Sequence, residues 1–126
     1  MDKKPSEYIS EFLEFLEKSK EEHESAYAEV GAEDRKEQTF LHDLEFAPNK
    51  NERNKVATRF QQSRRERRKA KDRAQLYENP YKFYTDQQNQ YLIKRLRRLQ
   101  NEQKQMENYL FGQREFKNRV DWGENS

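Results

Sequence analysis

Between Val56 and Tyr77 the chain sets a packing residue at every third or fourth position while most of what lies between is charged. Val56, Phe60, Ser63, Arg67, Ala70, Ala74 and Tyr77 are spaced 4, 3, 4, 3, 4, 3. That spacing is one stripe along a helix packed against other helices. Ala70 and Ala74 let a neighbouring helix approach closely. Arg67 has to lay its stem along the seam and carry its charge to the edge. Off the seam sit Arg64, Arg65, Arg68, Lys69, Lys71 and Arg73, which cover most of the remaining circumference. The stretch reads as a basic rod with one packed side. Its charge needs a counterpart, in this chain or in a partner.

The same spacing recurs on either side. Ile9, Phe12, Leu16, Ser19, His23, Ala26 and Val30 form a stripe that Tyr8, Phe15 and Tyr27 widen. Phe40, Leu41 and Leu44 resume nearly in phase beyond Gly31. One long helix over about 5–46 is therefore expected, with a kink at Gly31 as the alternative, because an interior glycine costs about 1 kcal/mol. Ala47-Pro48-Asn49-Lys50-Asn51 reads as a turn, with Asn49 or Asn51 capping a second helix to about residue 78. Asn79-Pro80 reads as the start of a third helix, to about 115, with Pro80 at its first position. That helix carries Tyr84, Tyr91, Leu92, Leu96, Leu99, Gln103, Met106 and Leu110 as its stripe. Residues 117–126 read as a flexible tail, in which Trp122 either docks on the helices or serves a partner.

Short turns make neighbouring helices antiparallel. The expected fold is all-α, an elongated antiparallel three-helix bundle or coiled coil forming a single domain over 1–116. The first helix outruns the second by roughly 20 Å at ~1.5 Å per residue. An apolar overhang with Ile9, Phe12 and Phe15 then needs cover from the third helix or from a second subunit, which makes a homodimer one expectation.

Composition bears on whether these helices form. Charged residues make up 40% of the chain and hydrophobic ones 31%, a balance that approaches disorder. Net charge is only +2, so self-repulsion is weak, and three Gly with three Pro leave few breaks. The charge is divided along the chain: residues 1–46 hold 14 acidic and 6 basic side chains, and the remainder is basic. An acidic first helix packed beside basic later ones is the simplest reading. No Cys is present, which excludes disulfide and thiol chemistry and fits an intracellular protein. The N-terminus lacks a signal-peptide pattern and no stretch approaches the ~18 apolar residues of a span, so a cytoplasmic protein without membrane contact is expected.

Catalytic chemistry has little to stand on. Three isolated glycines make no phosphate loop, and Ser-based triads lack their elbow context. His42, Asp43 and Glu45 do not converge on a helix at that spacing, and His23 falls on the packed stripe, where a hydrogen-bonded core histidine is the simpler reading. No enzyme, cofactor or metal site is expected. A phosphate-binding face is open to Arg64, Arg65, Arg68, Lys69, Lys71 and Arg73, joined by Lys94, Arg95, Arg97 and Arg98. Tyr77, Tyr81, Phe83, Tyr84 and Tyr91 either stack on bases there or close the bundle around the Asn79-Pro80 turn.

The segments DRKEQTFLHDLEF (34–46) and RRERRKAKD (64–72), within residues 10–80, resemble small helical proteins encoded by phages and prophages of Gram-positive bacteria. The resemblance implies a compact accessory protein acting on a host process, with no activity to carry over. The expected function is a non-enzymatic interaction factor that binds or inhibits a host protein complex, for example nucleic-acid-handling or defence machinery in the bacterial cell. Non-specific nucleic-acid binding through the basic helix 53–78, and a scaffold dimer in virion assembly, are the alternatives.

Overall fold

In the computed structural model, which describes residues 2–112, all regular structure is helical. The elements are α1 (Pro5–Glu45), α2 (Lys50–Leu76), α3 (Glu78–Thr85), a 3-10 turn at Gln87–Asn89, and α4 (Gln90–Phe111). They group into two compact units, one over Glu17–Thr85 and one combining residues 2–16 with 86–112.

α1 passes through Gly31 without interruption. No glycine among the described residues takes a positive φ, and a Cβ built on Gly31 would meet only the end of the Arg35 guanidinium at 3.5 Å. The glycine therefore supplies no geometry that alanine lacks. α1 stops at Glu45 ahead of Pro48, and Asn49 caps α2 from an extended conformation, its side chain accepting from the Glu52 N–H at 2.9 Å.

In the unit Glu17–Thr85, α1 and α2 run antiparallel. His23 lies beside Ala74, Glu33 beside Ser63 and Phe40 beside Phe60. Small residues make the seam: Ser19, Ala26, Ser63, Ala70 and Ala74 are all buried. Val56 closes it toward the start of α2, with Phe60, Arg67 and Tyr77 half-buried, so the stripe read in α2 is the one that packs. Two buried polar groups are answered across it. Ser63 donates its hydroxyl to Glu33 at 3.0 Å, and the same carboxylate takes Lys36 at 3.0 Å. His23 Nδ1 meets the Ala74 carbonyl at 3.2 Å, one of the last acceptors of α2 and without an intrahelical partner. The His23 ring also packs against Tyr27 edge-on and against Tyr81 of α3, centroids 4.8 and 4.0 Å away. His23 is thus a hydrogen-bonded core histidine.

The third helix differs from its expected course. It begins at Glu78, one residue before Asn79, with Pro80 still in the first turn, where its missing N–H costs nothing. It then breaks at Asp86. Thr85 returns its hydroxyl to the Tyr81 carbonyl at 2.8 Å, and extended Asp86 accepts the Gln88 N–H at 2.9 Å on its own side chain. Both side chains bond the local backbone in place of the helical ladder. α4 ends at Phe111; a Cβ on Gly112 would collide with the Asn108 carbonyl oxygen.

In the other unit, the first turns of α1 meet the end of α4. Leu13, Leu16 and Ile93 are buried. Glu107, also buried, accepts the Ser6 backbone N–H at 2.9 Å and the Ser6 hydroxyl, with the Gln103 amide at 3.2 Å. Ser6 N–H is one of the donors every helix start leaves unmet, so α4 supplies a capping carboxylate for α1. Burial pushes the Glu107 carboxyl up, but the Ser6 and Gln103 hydrogen bonds and the nearby Lys4 charge outweigh it, and its pKa falls below the ordinary 4.5. The expected stripes hold in part, with Leu16 buried and Ile9, Leu96 and Gln103 half-buried, and elsewhere shift by one residue. Leu13, not Phe12, is buried in α1. In α4, Ile93 and Glu107 pack, while Leu92, Leu99, Met106 and Leu110 are exposed.

Two outcomes are expected. Gly31→Ala raises unfolding stability by about 1 kcal/mol, read by urea or thermal unfolding. The hydrogen bonds at Glu107 favour its charged form, so its contribution is complete above pH 4.5 and is lost as pH falls through the lower folded value. Glu107→Gln therefore lowers the unfolding temperature at neutral pH and makes its fall on acidification shallower than in the unmodified chain.

Candidate functional site

The basic residues of α2 divide by their angle to the seam. Those beside it turn to α1 and are neutralised there. Arg67 bonds Asp34, Arg64 stands 3.6 Å from Glu37, and Arg73 reaches Glu22 at 3.5 Å and Glu29 at 3.1 Å, with Ser25 at 3.3 Å. Arg73 Nε is buried with no hydrogen bond, Glu22 being close enough only for charge attraction. The Arg67 hydrogen bond holds the Asp34 carboxyl below its ordinary value, aided by the Arg67, Arg64 and Lys71 charges. Arg64 also lies over the Phe60 ring at 5.8 Å.

Away from the seam the charge stays exposed. Lys69 pairs only with Glu66 of its own helix, at 3.6 Å. Arg65, Arg68 and Lys71 make no ion pair among the described residues. Together with the seam-side Arg64 and Arg67, and with Gln61, Asp72 and Gln75, they line a shallow groove of about 490 Å³ along α2. Of the six expected α2 residues, then, Arg64 and Arg73 serve the fold, and Arg65, Arg68, Lys69 and Lys71 present a basic surface. Lys94, Arg97 and Arg98 are exposed on α4, in the other unit. Trp122 lies outside the described residues. Tyr77, Tyr81, Phe83 and Tyr84 are half-buried and Tyr91 is exposed. His42 lies 3.8 Å from Asp43, and no group of three metal-ligating side chains occurs among the described residues. No helix among them is long and apolar enough to cross a membrane.

A second surface is exposed, built from the Leu99 and Met106 positions expected on the packed stripe and from the Phe12 and Phe15 overhang expected to need cover from the third helix or a second subunit. In the unit of residues 2–16 and 86–112, Phe12 and Phe15 are 46% and 44% exposed, Leu99 47% and Met106 52%. Each of Phe12, Phe15, Leu92, Leu99 and Met106 directly precedes a packed or half-packed position: Leu13, Leu16, Ile93, Gln100 and Glu107. One residue back is about 100° around a helix. In an antiparallel pair, that rotation carries both flanks to the same side. From the Ser6–Glu107 contact, Phe15 is reached after about 13.5 Å along α1 and Leu99 after about 12 Å along α4, so they stand about level. The α1 and α4 flanks therefore build one apolar face. The signal was present in the adjacent apolar pairs Phe12-Leu13 and Leu92-Ile93, which give one helix two faces.

Compared with family models, curated proteins and solved structures, the chain matches none.

Arg73→Ala is expected to lower stability by about 1 kcal/mol, since it strips several α1 partners at once. Arg65→Ala, Arg68→Ala and Lys71→Ala should each stay within about 0.5 kcal/mol of the unmodified chain. Chemical unfolding of the four variants side by side checks both.

Proposed function

We propose that this chain is a non-enzymatic helical protein–protein interaction factor. The observation that carries the reading is the apolar face formed by Phe12, Phe15, Leu99 and Met106. Contiguous exposed apolar surface on a monomer marks a site of contact with other proteins. Within each unit two helices pair antiparallel, α1 with α2 in one and the first turns of α1 with α4 in the other. In the phage or prophage setting that the sequence resemblance implies, the partner is a protein of the bacterial cytoplasm or of the phage itself. Nucleic-acid-handling and defence complexes are the host processes such a factor would bind or inhibit.

One observation favours a second reading, non-specific nucleic-acid binding. Arg65, Arg68 and Lys71 make no ion pair among the described residues and lie along one groove beside Asp72, an arrangement able to exchange counterions for phosphates.

The test pairs one variant of each surface. Leu99→Glu/Met106→Glu should keep helix content and unfolding temperature yet lose every specific protein complex the unmodified chain forms, seen by native mass measurement. Complexes that survive in this variant would refute the reading. Binding to mixed-sequence DNA and RNA at ~50 and ~200 mM salt tests the alternative, because phosphate-driven affinity falls steeply over that range. Salt-sensitive binding that the combined Arg65, Arg68 and Lys71 alanine variant abolishes moves the function to nucleic acid.

A further inference from the structure

Resting on the protein-binding reading, we infer that the occupant of the apolar face is a second copy of this chain, laid antiparallel so that α4 crosses α4 at Leu99. The face is self-complementary in that one arrangement. Leu92, Leu99 and Met106 lie seven residues apart in a single line down α4. A two-fold axis through Leu99 sets Leu99 on its own counterpart and Leu92 on the second copy's Met106, so no apolar residue of the line is left against water. In such an isologous contact each off-axis pairing occurs twice.

Charge selects the direction. Arg95 and Glu102 flank the line on the same side, four residues before Leu99 and three after it. The two-fold brings Arg95 of each copy to Glu102 of the other. A parallel arrangement would carry these flanks to opposite sides of the contact, so neither residue would meet its opposite charge. Both residues are exposed, and neither makes an ion pair among the described residues. Phe12 and Phe15, turned to the same side and level with this stretch, widen the contact beyond α4. A foreign partner would need none of this symmetry.

The chain has no cysteine, so single-cysteine variants of the full chain report the register cleanly. With a short bifunctional thiol crosslinker, Leu99→Cys should yield covalent dimer by itself. Leu92→Cys and Met106→Cys should stay monomeric when alone, their own counterparts being roughly 21 Å away by helical rise, and should crosslink when mixed. Arg95→Glu and Glu102→Arg should each weaken self-association by at least about tenfold, and a mixture of the two should regain the unmodified affinity. A chain that sediments as a monomer at concentrations on the order of 100 µM, with no Leu99→Cys crosslink, overturns the second copy as occupant. In that case, if Leu99→Glu abolishes a stoichiometric complex with a different protein, the broader protein-binding reading stands. If the unmodified chain forms no complex with any protein, both fall.

Discussion

Close approach of α1 and α2 through small side chains is the constraint on which the Glu17–Thr85 unit depends. Ser19 and Ala26 on one helix, and Ser63, Ala70 and Ala74 on the other, bury little apolar area each. What they give is proximity, which brings the flanking charges within reach. The acidic edge of α1 then meets the seam-side arginines of α2, at Asp34, Glu37, Glu22 and Glu29. Exposed ion pairs contribute little stability singly. As a set they fix the register and direction of two helices whose seam of small residues would tolerate sliding. Ser63 with Glu33, and His23 with the Ala74 carbonyl, lock the same register by hydrogen bonds.

The other unit is held differently. Leu13, Leu16 and Ile93 are its buried apolar residues, and Glu107 fixes the start of α1 by accepting from Ser6. A buried carboxylate is costly unless several donors meet it. Here a backbone N–H, a hydroxyl and an amide do. Phe12, Phe15, Leu92, Leu99 and Met106 of the same helices lie exposed, while Ile9 and Leu96 are half-buried. The chain therefore carries two kinds of surface, a basic one on α2 left over from internal charge pairing and an apolar one on α1 and α4 left over from internal packing.

The packed side of α2 was legible in the sequence because that helix has only one apolar side, so Val56 to Tyr77 allowed a single solution. α1 and α4 were harder, since Phe12-Leu13 and Leu92-Ile93 offer adjacent stripes of equal quality, and choosing between them depends on where a distant helix lies. The break at Asp86 was masked by an apolar pattern that continues across it, while its cause sits in the side chains of Thr85 and Asp86. The Ser6–Glu107 cap joins positions far apart in the chain and leaves no local trace. The basic residues were recognised as a group. Their division into Arg64, Arg67 and Arg73, which serve the fold, and Arg65, Arg68 and Lys71, which face outward, followed only once the seam was paired with α1.

The account's central claim is that the α1/α4 flank, and not the α2 surface, is where this protein meets another. Segment-resolved hydrogen exchange across a concentration series tests it most directly, because association slows the opening of the helices it covers. The account predicts that exchange slows with rising concentration in α4 and the first turns of α1, while α2 is unchanged. Exchange independent of concentration in every segment, or slowing confined to α2, would contradict it.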